Sequence, residues 1–94
     1  MNNRIKILLV EDEKMLAEIL SDTLSDRNFD VHLAYDGIHA LEAIKKEPFD
    51  VIVSDVMMPN LDGYSLAKKL RNEGCNTPIL FLTSLSATED VVKG

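Results

Sequence analysis

Ile5-Lys6-Ile7-Leu8-Leu9-Val10-Glu11-Asp12 is an apolar run with a single interruption, closed by two acids. A run this uniformly apolar suits a short strand covered on both faces, as in a parallel sheet. Working outward, Val51-Ile52-Val53 and Ile79-Leu80-Phe81-Leu82 have the same character and read as two further central strands. Val31-His32-Leu33 alternates apolar with polar and reads as a half-exposed edge strand. Between these runs Leu16, Ile19, Leu20 and Leu24 recur at helical spacing, as do Leu41 with Ile44 and Leu66 with Leu70. Strands alternate with helices, so the class is α/β, a parallel sheet with crossover helices.

Local punctuation agrees. Pro48 stops the second helix and Gly74 the third, while Asp36-Gly37 and Asp62-Gly63 carry turn chemistry. Ser86-Ala87-Thr88-Glu89 has capping-box spacing ahead of Val91 and Val92, so a fourth helix is expected to begin there. The 94 residues make one domain or part of one, and 46% apolar with 28% charged residues is an ordinary globular composition. No apolar run approaches the ~18 residues of a membrane span, and Met1 to Val10 lacks the marks of a signal peptide, so a cytoplasmic protein without membrane contact is expected. The net charge of −6 repels a phosphate backbone and argues against direct nucleic-acid binding. Cys75 is alone, and His32 and His39 have no cysteines with which to build a zinc site, so both histidines read as surface residues.

In an open parallel sheet, ligands gather at the carboxyl ends of the strands. The first strand here ends in Glu11-Asp12, the third in Ser54-Asp55 and the fourth in Thr83-Ser84, which brings acids and a hydroxyl to one edge. Carboxylates so placed repel by roughly 4 kcal/mol for unit charges about 4 Å apart at an effective dielectric near 20, so without a counter-ion at least one should have a raised pKa. A cation relieves this. The candidate ligands are all oxygens, which favours a hard ion such as Mg2+. An ionised aspartate facing a metal-bound phosphoryl group can act as a nucleophile and form an acyl phosphate. Taken singly, Asp12 reads equally well as the N-cap of the first helix, Asp55 as a turn residue and Thr83 as a cap. Jointly those alternatives weaken, because chance does not readily place such groups after three central strands. Met57 and Met58 are ordinary core fillers by type, and any metal contact from Met57 would come from its backbone carbonyl.

From Ile5 onward the chain resembles the receiver domains of two-component response regulators. The resemblance rests on Ile7-Leu8-Leu9-Val10-Glu11-Asp12-Glu13, on Phe49-Asp50-Val51-Ile52-Val53-Ser54-Asp55-Val56-Met57-Met58-Pro59, on Leu61-Asp62-Gly63 and on Pro78-Ile79-Leu80-Phe81-Leu82-Thr83, in that order. It implies a flavodoxin-like doubly wound sheet of strand order 2-1-3-4. It also implies phosphoryl transfer from a sensor histidine kinase to Asp55. Mg2+ would be held by Asp12, by Asp55, by the backbone carbonyl of Met57 and, through water, by Glu11, with Thr83 as the switch hydroxyl. The output would lie in a domain or effector outside these residues, with a weak leaning toward winged-helix transcription regulators. Such a domain is a regulatory phosphoacceptor that assists its own phosphorylation and dephosphorylation, rather than an enzyme.

Two departures from the family pattern stand out. Ser84 occupies a position where the family usually has alanine, and the family's fifth strand, last helix, switch aromatic and phosphate-pairing lysine have no counterpart up to Gly94. Residues 1–94 are therefore expected to form a receiver domain incomplete at its C-terminus. Such a domain should self-associate through Pro78 to Thr83 and Ser84 to Gly94. A receiver-like interaction module without phosphorylation is the alternative function. A magnesium-dependent phosphohydrolase of the haloacid dehalogenase type is disfavoured, because its motif wants a second aspartate where Met57 stands.

Overall fold

The computed structural model describes residues 4–56 and 62–82. Along them run β1 (Lys6–Val10), α1 (Lys14–Asp26), β2 (Asp30–Ala34), α2 (Gly37–Lys46), β3 (Val51–Asp55), α3 (Gly63–Asn72) and β4 (Ile79–Leu82). All strand pairs are parallel and the order is β2-β1-β3-β4, the expected flavodoxin-like, doubly wound arrangement. β1 and β3 are the inner strands of this order. Val10 lies opposite Ala34 on one side and Ser54 on the other, so the residues after Val10 and after Ser54 emerge at the same sheet edge.

Alternation along the inner strands sends successive side chains to opposite faces. Leu8, Val10 and Ile52 join Ala40, Leu41, Phe49, Leu66 and Leu70 in one core under α2 and α3. Ile7 and Leu9, buried between them in sequence, turn to the other face, where α1 packs on β1 and β2 and buries Ala17. Leu8, Leu9, Ile52, Leu66 and Leu70 are at most 1% exposed. Each such burial is worth about 1.5–3 kcal/mol relative to exposure, so β1, β3 and α3 are anchored firmly.

The helix starts differ from the turns expected. Asp36 and Asp62 are N-caps, their carboxylates accepting the backbone N–H groups of His39 and Ser65 at 2.7 Å each, and Gly37 and Gly63 are the first helical residues. The first turn of a helix has N–H groups without intrahelical partners, and a short acidic side chain is well suited to accept one. The His39 backbone N–H also holds the Asp36 carboxyl below its ordinary range. At the far ends, Glu47 caps α2 just before Pro48, and Gly74 adopts φ +86° after α3 while the Cys75 N–H donates to the Leu70 carbonyl at 2.9 Å. Both stops fall where Pro48 and Gly74 place them.

His32 and His39 lie at the surface as expected, His32 within 3.5 Å of Asp30 and Glu47 and His39 2.8 Å from Asp36. β2 is an edge strand with intermediate burial, also as expected. Two apolar segments are less covered than their patterns allow. Leu16 and Ile19 on α1 are 39% and 56% exposed, so the helical stripe there is only partly covered. Leu80 and Phe81 are 60% and 37% exposed: among the described residues β4 forms the second edge of the sheet, as the strand order 2-1-3-4 without a fifth strand implies, although its apolar pattern is that of a strand buried on both faces. Thr83 and the Ser86 to Val92 segment lie outside the described residues.

An apolar strand at a sheet edge is a template for pairing with another chain. The 94-residue chain is therefore expected to sediment as concentration-dependent oligomers, and Leu80→Lys should shift it toward monomer. A compact wild-type monomer at high concentration would contradict this.

Candidate functional site

Three acids meet at the carboxyl edge of the sheet. Glu11 follows β1 and is held there by its backbone N–H, which donates to the Ala34 carbonyl at 3.0 Å. Asp12 begins the turn into α1, and Asp55 ends β3 opposite Leu82. One carboxylate oxygen from each lies within 4.8 Å of the others. Glu11 is 2% exposed, Asp55 9%, and Asp12 is half-buried.

The alternative readings of these residues can now be separated. α1 has Glu13 at its N-cap position with no side-chain cap, so Asp12 is not the cap of that helix. Asp55 belongs to β3 and not to a turn. Met57 and Thr83, the other two expected site residues, lie outside the described residues. Sequence reasoning anticipated that crowding would raise the pKa of one acid without saying which. Burial pushes Glu11 up to about 7, the N–H of Glu13 donating at 3.1 Å pulls it back, and the nearby charges of Asp55 and Asp12 raise it again. Glu11 is the acid with the least exposure, which explains why it bears the penalty.

The donor set fits magnesium. It is all carboxylate oxygen, with the three groups within 4.8 Å of one another, the ligand type a hard ion takes. Two clefts, one of about 370 Å³ between α2 and α3 and one of about 360 Å³ between α2 and β2, involve none of the three acids. Among the described residues no helix is long and apolar enough to cross a membrane.

Residues 7–94 match the family described as the response regulator receiver domain. The transcriptional regulatory protein DltR of Streptococcus agalactiae is 42% identical over 90 residues, covering 96% of this chain and 40% of DltR. The response regulator MprA of Mycobacterium ulcerans is 41% identical, with 96% and 39% covered. Among solved structures, the receiver domain of the Francisella response regulator 1452 superposes with a TM-score of 0.84 at 39% identity, covering 96% of this chain and 74% of that one. Thermotoga maritima TrrA, solved in complex with Mg2+-BeF, gives 0.81 at 28% identity, covering 88% and 72%. The chain belongs to the receiver domains of response regulators, the regulatory domains of two-component signalling. It spans about two-fifths of the length of these curated relatives.

Glu11 links this site to stability. Below about pH 4.5 both folded and unfolded forms carry its proton; above that the unfolded chain loses it first, so the stability contributed by Glu11 declines as the pH rises through about 7. Glu11→Gln should raise the melting temperature of the metal-free chain above neutrality and flatten its fall between about pH 4.5 and 7. Circular dichroism melts check this; a variant with the wild-type pH slope would contradict it.

Proposed function

We propose that Asp55 accepts a phosphoryl group from a sensor histidine kinase and thereby switches an output domain or effector of a transcription regulator. The observation that carries this reading is the buried meeting of Glu11, Asp12 and Asp55 within 4.8 Å at the strand ends of a receiver fold. Asp12, Asp55 and the backbone carbonyl of Met57 would hold Mg2+ directly, with Glu11 binding one of its waters. Bound magnesium supplies positive charge against the carboxylates and the transferring phosphoryl oxygens.

The protein's own groups do the rest. β3 holds Asp55 at the sheet edge, where one carboxylate oxygen attacks phosphorus as the bond from phosphorus to the kinase histidine nitrogen breaks, leaving an acyl phosphate on Asp55, while the freed nitrogen keeps the electron pair and the ring, with a proton on its other nitrogen or one taken from water, leaves as neutral imidazole. Glu11 and Asp12, close on one side, disfavour a second anion unless their charge is balanced, which makes acceptance depend on the cation. Thr83 follows β4 in sequence, one strand from Asp55, and its hydroxyl would bond the new phosphoryl oxygens and draw the following segment with it. The names of DltR and MprA, a transcriptional regulatory protein and a response regulator, support a transcriptional output, and TrrA with its Mg2+-BeF supports the choice of ion. A cytoplasmic location follows from such a role.

With acetyl phosphate and magnesium, mass spectrometry of digested protein should find the modification on Asp55, and Asp55→Asn should carry none. Asp12→Ala should lose at least tenfold in magnesium affinity by calorimetry, and wild-type affinity should fall below neutral pH as the carboxylates take up protons. Stable acyl phosphate on Asp55→Asn, or unchanged magnesium binding by Asp12→Ala, would overturn the assignment.

A further inference from the structure

We infer that Gly63 and Ser54 are positioning residues for phosphoryl acceptance: together they fix the Asp55–Val56 backbone, and through it the direction of the Asp55 carboxylate. The inference rests on the reading of Asp55 as the acceptor. Asp55 is the last residue of β3, so the direction in which its side chain leaves the chain is set by how the backbone around it is held. On one side the Val56 N–H donates to the Leu82 carbonyl at 3.1 Å. From α3, the Gly63 N–H donates to the Val56 carbonyl at 2.8 Å, tying the helix start to the strand end. From within β3, the hydroxyl of Ser54, a residue with no exposure, donates to the Asp55 carbonyl at 3.0 Å.

Gly63 is required by space. A Cβ at this position would overlap the Asp55 carbonyl oxygen and lie 3.1 Å from Val56 Cα and 3.2 Å from the Asp55 carbonyl carbon. These are backbone atoms, which have no rotamer to swing aside. α3 cannot easily retreat either, since Leu66 and Leu70 lock it into the core and Asp62 caps its first turn. A methyl group at Gly63 must therefore be absorbed at the Asp55–Val56 peptide. Gly74, at the other end of α3, is required for the opposite reason: its φ is +86°, and nothing lies within 4 Å of a Cβ placed there. Alanine there strains the backbone without touching the site, so the two glycines form a matched pair on one helix.

The test compares wild type, Gly63→Ala, Gly74→Ala and Ser54→Ala in the 94-residue chain. Acetate leaves acetyl phosphate as the Asp55 oxygen bonds to phosphorus, and intact-mass spectrometry follows the labelling rate across donor and magnesium concentrations, alongside thermal melts. A displacement of a reacting group by about 1 Å costs on the order of 100-fold in rate. Gly63→Ala should therefore lose about that much of the maximal rate at saturating donor and magnesium, and Ser54→Ala several-fold. Gly74→Ala should melt at a lower temperature yet stay within about twofold of wild type at temperatures where it is folded. If Gly63→Ala does not fold, Ser54→Ala decides: a slower maximal rate with a near-wild-type melt supports the inference, and a wild-type rate overturns it. The inference is likewise overturned if folded Gly63→Ala is labelled at the wild-type rate, or if Gly74→Ala slows in proportion to its lost stability. Absence of label on wild-type Asp55 counts instead against the acceptor reading, and removes this inference with it.

Discussion

The repulsion among Glu11, Asp12 and Asp55 is the constraint around which this fold is arranged. Three carboxylates within 4.8 Å of one another, two of them buried, are unfavourable in the absence of a cation, and burial first, with the charges of Asp55 and Asp12 adding to it, pushes Glu11 up to about 7. The register of the sheet enforces the arrangement. Val10 is level with Ser54, so the acids that follow each strand have no freedom to separate without breaking the β1 to β3 ladder. The core beneath that ladder, with Leu8, Val10 and Ile52 fully buried, stabilises the sheet enough to hold the acids together.

The same economy of space governs the elements around the site. Asp62 and Gly63 do separate jobs in one dipeptide, the first capping α3 and the second letting that helix touch the end of β3. The end of β3 is thereby tightly packed. It is also where stability is given up, because functional sites concentrate groups that a purely stable protein would keep apart.

Much of this was legible in the residues. Apolar runs ending in acids identified β1 and β3 and brought Glu11, Asp12 and Asp55 to one edge, and Pro48 and Gly74 marked the helix stops, because strand period, chain stiffness and positive φ are local properties. Strand order was not local and came with the family resemblance. The Asp36-Gly37 and Asp62-Gly63 pairs looked like turns because capping and turn formation use the same short acidic side chain, and only the neighbouring N–H groups distinguish them. The exposure of Leu16 and Ile19 was not legible, since an apolar pattern states what a helix can bury and not what stands against it, whereas the open edge at Leu80 and Phe81 followed from the family's strand order. The close approach of Gly63 to Asp55 was hidden too: glycine at a helix start looks the same whether it serves a turn or a contact.

Titration of the Glu11 side-chain carboxyl by carbon-detected NMR, without magnesium and at saturating magnesium, tests the central claim most directly. The account predicts a midpoint near 7 in the metal-free chain, moving well down when magnesium is added, with Asp12 and Asp55 responding at the same magnesium concentration. A Glu11 midpoint in the ordinary glutamate range that ignores magnesium would show that the three carboxylates do not form one cation-dependent site.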